Sequence, residues 1–264
     1  MRSLPVGGID GAEYQRRKGG AMVTQERWKE AQAYEKSYWE NQANQIASGS
    51  ASQLDWYSWK AKKMEERLGN FFPEEKRRNA RVLEIGSGPI GIVTYLPWGK
   101  RHTLDPLEPY YASNPTLTKL RSPEVVYGAG GGEKVPFEDG SMSLVILDNV
   151  LDHVHEAPRV LEEIRRVVSR DGVFYLEVNI HTVWGGFLHR ILSRLKIDRG
   201  HPYTFTLESI RRFLQQHGFA IKKDFYSNYA DAKKASLQSA SMRERLKGMT
   251  GLTEFVYQAI CEKA

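Results

Sequence analysis

From residue 81 onward, short apolar runs of five to eight residues alternate with segments of helical periodicity. The alternation starts with RVLEI at 81–85 and continues to GVFYLEV at 172–178. Strands that alternate with helices are typical of a parallel sheet with helical crossover connections. The predicted strands are 81–85, 101–105, 124–128, 143–148, 172–178, 219–226 and 254–261. This pattern predicts an α/β fold, and the remaining segments must pack around its sheet.

The N-terminal quarter has a different pattern. Residues 25–47 contain neither Gly nor Pro, and aromatic residues recur at helical spacing there and again over 54–68. Gly69 and Pro73 then interrupt the periodicity. We therefore expect a disordered tail over residues 1–24, a helical cap over 25–72, and a main domain over 73–264. That domain carries insertions at about 179–204 and 227–252.

Two interpretations of the cap remain open. Its aromatic stripe favours packing against the helices of the sheet over a ligand cage. Its basic residues favour a solvated face, with contact to an anionic substrate as the alternative. These basic residues are Lys60, Lys62, Lys63, Lys76, Arg77 and Arg78.

Charge and cysteine content narrow the function classes. The excess of 38 basic over 32 acidic residues is too small to indicate nucleic-acid binding. The lone Cys261 excludes an intramolecular disulfide and favours a reducing, cytoplasmic location. No apolar stretch approaches the roughly 20 residues of a membrane-spanning helix. Together these features favour a protein without a membrane span, and the aromatic cap and the lack of a recognised nucleic-acid module favour a small-molecule or saccharide partner.

A glycine-rich turn follows the first predicted strand. In VLEIGSGPIG, the strand leads directly into Gly86, Gly88 and Gly91. Such turns bring backbone N–H groups close to a nucleotide, and the spacing matches G-x-G-x-x-G, so NAD or FAD is one possible ligand. Asp105, at the end of the next strand, is placed to bind a ribose diol. Glu84 adds a carboxylate that disfavours a pyrophosphate and suits a cationic ligand.

The stretch VLEIGSGPIG resembles motif I of the class I S-adenosylmethionine-dependent methyltransferases. TLDP, KVPFEDGSMSLVILDNVLDHV and VLEEIRRVVSRDGVFYLEV resemble the motifs that follow it in that family, and GHPYTFTLESIRRFLQQHGFAI resembles its type 11 subgroup. The resemblance covers about residues 81–226. It implies a Rossmann-like sheet of seven mostly parallel strands, the last antiparallel, with the N-terminal helices as a cap.

The resemblance also implies a cofactor site. S-adenosylmethionine, with S-adenosylhomocysteine as its product, would be bound by Glu84, Gly86, Ser87, Gly88, Asp105, Pro106, Glu133, Asp148 and Asn149. Among the departures from the family pattern, two lie in this predicted site. Ile90 stands where the third glycine is usual, with Gly91 one place later, and Gly131 stands where an Asp often meets adenine, so Glu133 is the substitute.

Three histidines are candidates for catalysis or substrate contact, because imidazole exchanges protons near neutral pH. They are His153, His181 and His201. The stretch LDHVHE also suggests a metal site, but His153 and His155, two residues apart, cannot converge from one helical face. We therefore predict no metal site.

The sequence predicts a methyltransferase that acts on an O or N nucleophile of a small molecule or saccharide. RNA or another macromolecule is the alternative acceptor. A catalytically silent nucleotide-binding protein and a nicotinamide- or flavin-dependent oxidoreductase are alternatives from other classes. The oligomeric state is not predicted.

Overall fold

The computed structural model describes residues 24–50, 54–195 and 201–264, with the side chain of Arg194 excepted. The predicted tail therefore lies outside the described residues, apart from Thr24. That residue begins the first helix, because its side-chain oxygen accepts a hydrogen bond from the Arg27 N–H at 3.2 Å.

Seven strands form one sheet in the order β3-β2-β1-β4-β5-β7-β6. Strands β1 to β5 pair in parallel, and β7 lies antiparallel between β5 and β6. The strands are β1 Arg81–Ile85, β2 Lys100–Asp105, β3 Val125–Ala129, β4 Met142–Asp148, β5 Val168–Ile180, β6 Phe219–Tyr226 and β7 Phe255–Lys263. The predicted fold class is thus confirmed, and each predicted run forms a strand.

Helices precede the sheet, connect its strands and follow its edge. They are α1 Gln25–Ala47, α2 Trp56–Leu68, α3 Glu74–Arg77, α4 Glu108–Ser113, α5 Pro115–Thr118, α6 Ala157–Val167, α7 Val183–Arg194, α8 Leu207–Gln216, α9 Tyr229–Gln238 and α10 Met242–Thr250. Short 3-10 helices cover Gly69–Phe71 and Ile92–Tyr95. The two predicted insertions contain α7 and the α9–α10 pair.

Two hydrophobic clusters cover the two faces of the sheet. One contains the apolar face of α6, including Val160, Leu161 and Ile164, together with Ile210 and Leu214 of α8. The second joins the sheet to the cap through residues such as Trp39, Tyr57 and Met64. Because the cap and the sheet share one cluster, they pack as one core. The domain boundary near residue 73 therefore stays a sequence prediction.

The connection between β1 and β2 differs from the expected crossover helix. It contains only the four-residue 3-10 helix Ile92–Tyr95. Helix α2 packs on this short helix from outside, with Ala61, Met64 and Leu68 on its buried side. The cap therefore covers the part of the sheet that a crossover helix was expected to cover.

Candidate active site

A cavity of about 410 Å³ lies at the carboxyl ends of β1, β2 and β4, beneath α1 and α2. All nine predicted cofactor residues line it, although they come from four separate stretches of the chain. The carboxyl edge is where open α/β sheets bind ligands, and a few hundred cubic ångströms is the usual size of such sites. The structure therefore brings the predicted residues together at one place.

The glycine turn needs its first glycines for steric reasons. Gly86 and Gly88 have φ angles of +69° and +62°, which non-glycine residues rarely adopt. A Cβ at Gly86 would lie 2.4 Å from a Val150 methyl carbon, and one at Gly88 would lie 2.6 Å from the Tyr57 hydroxyl. The Gly86 N–H donates to the Leu104 carbonyl oxygen at 2.7 Å, so the turn is fixed to β2.

The position of Glu84 explains why residue 91, one place after the usual third glycine, must be a glycine. The two carboxylate oxygens of Glu84 accept hydrogen bonds from the Ile92 and Val93 N–H groups at 3.1 and 3.0 Å. Gly91 has φ +78°, and a Cβ there would lie 2.7 Å from a Glu84 oxygen. Burial raises the pKa of the Glu84 carboxyl to about 8, although the two N–H donors oppose the rise. Glu84 thus organises the turn, with its oxygens directed at the backbone.

Asp105 connects the turn to the end of β2. Its carboxylate accepts the Gly88 N–H at 2.9 Å on one oxygen and the Leu107 N–H at 2.8 Å on the other. Burial raises the pKa of this carboxyl to about 7 despite both donors. Each carboxylate oxygen can accept a second hydrogen bond. Asp105 can therefore hold the turn and still accept hydrogen bonds from a ribose diol.

The end of β4 carries a buried ion-pair network. Asp148 and Glu177 are register partners on β4 and β5, and Lys60 Nζ lies 2.7 Å and 3.2 Å from their carboxylates. Burial raises the pKa of Asp148 to about 6, and Lys60 opposes that rise. For Lys60, burial lowers the pKa, but the two carboxylates outweigh it and the net shift is upward.

The prediction that Lys60 belongs to a solvated face was therefore wrong. Its side chain is only 23% exposed, and it pairs with carboxylates of two adjacent strands. The signal was present in the sequence, because Tyr57, Lys60, Ala61 and Met64 follow helical periodicity along one face of α2. Lys60 is thus the polar member of the face that packs on the sheet.

The residue after β4 adopts a left-handed conformation. Asn149 has φ +57°, and its N–H donates to the Glu177 carbonyl oxygen at 2.8 Å. Its side-chain oxygen accepts a hydrogen bond from the Asn179 amide at 2.8 Å. These two contacts tie the loop that follows β4 to β5, so Asn149 and Val150 keep their places in the cavity wall.

Glu133 and Gly131 form the opposite wall. The Glu133 carboxylate accepts the N–H groups of His155 and Glu156 at 2.9 and 3.2 Å on one oxygen. Its other oxygen would lie 2.6 Å from a Cβ at position 131, so a side chain there would displace the Glu133 carboxylate. Glu133 therefore stabilises the loop before α6, and both residues line the cavity.

Aromatic side chains of the cap close the cavity. The Tyr57 hydroxyl donates to the Ser87 carbonyl oxygen at 3.1 Å, which joins α2 to the glycine turn. Trp39 of α1 packs edge-on against Tyr111, with 6.1 Å between ring centroids. All three aromatic residues are buried and line the cavity, as does the more exposed Trp56. The aromatic stripe thus packs on the sheet, as favoured, and also lines the cavity.

The three candidate histidines occupy different positions. His153 lines the cavity, and the His201 ring lies 4.6 Å from its ring between centroids. His181 stacks on His189 at 4.6 Å and borders a separate surface depression. His155 packs edge-on against Trp28, with 5.9 Å between ring centroids. Sequence reasoning missed the approach of His201 and Asp152 to His153.

The two insertions take a smaller part than expected. We expected residues 179–204 and 227–252 to supply the substrate side, but their described residues do not line the cavity. His201 comes closest, through its contact with His153. Besides the predicted cofactor residues, the described lining comes mainly from α1, α2 and the loop between β4 and α6.

The charge of the lining distinguishes between ligands. Five acidic residues line the cavity, whereas Lys60 is the one lysine or arginine among its lining residues in the described chain. The acidic residues are Glu35, Glu84, Asp105, Glu133 and Asp148. A cationic ligand bound there would favour the ionised forms of carboxyls whose pKa burial has raised, such as Glu84 and Asp105, whereas a pyrophosphate would meet one cationic side chain, Lys60, in the described lining. The residues present therefore fit S-adenosylmethionine better than NAD or FAD.

Residues 83–176 match the model of a family described as a methyltransferase domain. An uncharacterized methyltransferase of Mycolicibacterium gilvum is 28% identical over 155 residues, which cover 57% of this chain and 56% of that protein. The chain spans about half the length of the curated relatives it matches.

Two solved structures are similar in fold. Geranyl diphosphate C-methyltransferase of Streptomyces coelicolor, in complex with Mg²⁺, geranyl diphosphate and S-adenosylhomocysteine, superposes with a TM-score of 0.57 at 10% identity, covering 78% of this chain and 79% of that one. Phosphoethanolamine N-methyltransferase 2 of Haemonchus contortus, in complex with phosphomonomethylethanolamine and S-adenosylhomocysteine, superposes with a TM-score of 0.56 at 15% identity, covering 83% and 58%.

These matches confirm two of the sequence predictions. The family match confirms the resemblance drawn from the motifs, and the structural matches confirm the fold. Among the described residues, no helix has the length and apolar character needed to cross a membrane.

Proposed function

We propose that this chain is a class I S-adenosylmethionine-dependent methyltransferase and transfers a methyl group to an O or N nucleophile of a small molecule or saccharide. One observation carries the proposal. The nine residues assigned to the cofactor from the sequence surround a single acid-lined cavity beneath an aromatic cap. The cavity volume of about 410 Å³ suits a nucleoside-sized ligand with an acceptor beside it.

The residues of the cavity would hold the cofactor in a defined order. The turn from Gly86 to Gly88, organised by Glu84, would hold the methionine portion, and Asp105 with Pro106 the ribose. Gly131 and Glu133 would border the adenine, and Asp148 with Asn149 would form the floor. When bound, S-adenosylmethionine supplies an electrophilic methyl group on a good leaving group.

The protein's own contribution is alignment and exclusion of water. Holding an acceptor in line with a reacting group replaces a bimolecular encounter and can supply a large part of the rate enhancement. Trp39, Tyr57 and Trp56 separate the cavity from solvent on the cap side. Lys60 pairs with Asp148 at 2.7 Å and favours its ionised form.

Among the three candidate histidines, His153 is the one that lines the cavity. We assign it contact with the acceptor, because its ring occupies the wall that the cofactor residues leave open. His201 packs on His153 and positions its ring. His181 is farther along the same line of histidines, in contact with His189.

Calorimetric titration of the purified chain with S-adenosylmethionine, S-adenosylhomocysteine and NAD tests the cofactor. We expect micromolar binding of the two adenosyl ligands, loss of that binding in Asp105→Ala, and no binding of NAD. Binding of NAD alone, or of none of the three ligands, would contradict the proposal.

Acceptors can then be screened with S-adenosylmethionine labelled in the methyl group. Transfer to hydroxyl- or amine-bearing metabolites and saccharides is expected, and it should vary little between 50 and 200 mM salt. Transfer to RNA alone, with a steep loss across this salt range, would replace the proposed acceptor class.

A further inference from the structure

Beside the cavity, one carboxylate and two imidazoles come together. Asp152 and His153 lie in the loop between β4 and α6, whereas His201 comes from the described end of the first insertion. One ligand atom from each of these side chains lies within 4.8 Å of the others. Neither the glycine turn nor the cap contributes to this group, so it is distinct from the predicted cofactor residues.

Asp152 is a buried carboxylate, and one of its oxygens lacks a hydrogen-bond donor among the described residues. The residue is 3% exposed, and its Oδ1 accepts no hydrogen bond from the described residues. The nearest ring nitrogen, His153 Nε2, lies 3.7 Å from that oxygen. A buried carboxylate oxygen without a donor is costly, and a bound cation removes that cost. This orphaned oxygen is independent of the histidine geometry and points to the same place.

Tyr203 fixes the two segments to each other. Its N–H donates to the Asp152 carbonyl oxygen at 3.3 Å, and its hydroxyl donates to the His155 carbonyl oxygen at 2.8 Å. The same hydroxyl accepts the Ala157 N–H at 3.3 Å. His201 is therefore held near the loop after β4 by backbone contacts that do not depend on the imidazoles. Such support is what keeps a ligand set in place.

We propose that Asp152, His153 and His201 bind a divalent transition metal of the Zn²⁺ type. Two imidazole nitrogens and one carboxylate oxygen suit zinc and its first-row neighbours, and sites with three protein ligands leave a coordination position open. Ligand atoms around a tetrahedral zinc lie about 3.3 Å apart, given bonds of about 2.0–2.2 Å. The three atoms must therefore approach one another by at most about 1.5 Å, which small side-chain rotations can supply.

The open position would face the cavity, because His153 is part of the cavity wall. This step rests on the proposed function. A metal held there would bind a hydroxyl or carboxylate oxygen of the acceptor and orient it. The site thus selects acceptors that offer an oxygen ligand beside the methylated atom.

A second histidine cluster provides a comparison. Ligand atoms of His181, His189 and Glu254 also lie within 4.8 Å of one another. There, however, Glu254 already lies 3.7 Å from Lys247 Nζ, and His189 Nδ1 is 2.7 Å from the Thr204 hydroxyl. None of these three residues lines the cavity. The cluster with the orphaned Asp152 oxygen is therefore the stronger candidate.

The test titrates the full chain, without a histidine tag, with Zn²⁺ by calorimetry and with Co²⁺ by visible absorption. Wild-type protein should bind one equivalent of metal, and Co²⁺ should give the spectrum of imidazole coordination. His201→Ala and Asp152→Asn should each weaken binding by at least tenfold. His155→Ala is the matched control, because His155 is two residues from His153 and packs on Trp28, and it should bind like wild type.

Other outcomes of the titrations would overturn either the metal site or the proposed function. Wild-type protein that binds S-adenosylhomocysteine but no metal would overturn the proposal, as would loss of metal binding in His189→Ala but not in His201→Ala. Asp152→Asn keeps the side-chain shape, so it decides the question if His201→Ala fails to fold. Metal binding without any S-adenosylhomocysteine binding would support the metal site and contradict the proposed function.

Discussion

The two sides of the cavity hold their buried carboxylates by different means. On the glycine-turn side, formed by residues 84–91 and 105–107, Glu84 and Asp105 are satisfied by backbone N–H groups. On the lysine side, Asp148 and Glu177 are satisfied by the side chain of Lys60. The first arrangement is built into neighbouring turns, whereas the second joins the sheet to a distant helix.

This difference has electrostatic consequences. Backbone N–H groups are dipoles, so they satisfy hydrogen bonds without neutralising charge, and burial raises the pKa of Glu84 to about 8 and of Asp105 to about 7. A lysine carries a full positive charge, and the pKa of Asp148 rises only to about 6. A cationic ligand would therefore lower the raised pKa values of Glu84 and Asp105 on the glycine-turn side. On the lysine side, Lys60 already supplies the positive charge, and its ion pairs stabilise the fold.

Gly86→Ala should disrupt the packing of the glycine-turn side and destabilise the protein. The new Cβ would lie 2.4 Å from a Val150 methyl carbon, and the residue would have to keep φ +69°. Left-handed strain of about 1–2 kcal/mol and overpacking of about 1–3 kcal/mol predict a destabilisation of about 2–5 kcal/mol. Urea unfolding measures it, and S-adenosylhomocysteine binding should be lost.

Gly49→Ala is the control for this variant. Gly49 has a similar φ of +71°, but a Cβ there meets nothing within 4 Å. It should therefore show the strain of about 1–2 kcal/mol alone. Equal destabilisation of the two variants would mean that the approach of Val150 to the turn has no energetic importance.

Lys60→Met should remove the ion pairs of the lysine side and destabilise the protein. It leaves Asp148 and Glu177 buried and adjacent without a cation. Removing one partner of a buried ion pair costs about 3–5 kcal/mol. Because the Lys60 side chain is 23% exposed, we expect about 2–3 kcal/mol in chemical denaturation at pH 7. Lys62→Met, on the exposed side of α2, should change stability little, and similar losses would contradict the buried role of Lys60.

The pH dependence of S-adenosylhomocysteine binding, compared between wild type and Asp105→Asn, tests the role of the glycine-turn side. A ribose diol donates hydrogen bonds, so binding favours the ionised Asp105 carboxylate. With a pKa of about 7, affinity for S-adenosylhomocysteine should rise as pH increases through 7 and then level off. Below that pKa it should fall by about tenfold per pH unit. Calorimetry between pH 5.5 and 8.5 measures this dependence, and an unchanged slope in Asp105→Asn would exclude Asp105 as its source.

Tyr57→Phe tests the link between the two sides and should have the smallest effect. It removes the 3.1 Å hydrogen bond from the Tyr57 hydroxyl to the Ser87 carbonyl oxygen. A buried hydrogen bond of this kind contributes about 0.5–1.5 kcal/mol. Tyr38→Phe, at a residue that is 41% exposed, is the control in the same denaturation assay. A loss equal to that of Lys60→Met would show that the cap is fixed mainly through the turn.

Local patterns of the chain predicted most of the fold. Helix α1 and strands β1 and β6 have the predicted bounds, because apolar periodicity reports which side of an element is buried. Strand β5 extends beyond the predicted run at both ends, from Val168 to Ile180. Part of that extension pairs with β7, from a distant part of the chain, and periodicity carries no information about such a partner.

The sequence by itself determined the α/β fold, the glycine turn and the identity of the residues at the strand ends. These follow from local periodicity, from glycine at positive φ and from the order of the motifs. Only the tertiary structure decided which side chains meet across the chain. Lys60 pairs with Asp148 and Glu177, and His201 reaches Asp152 and His153, because sheet register and helix packing place distant segments side by side.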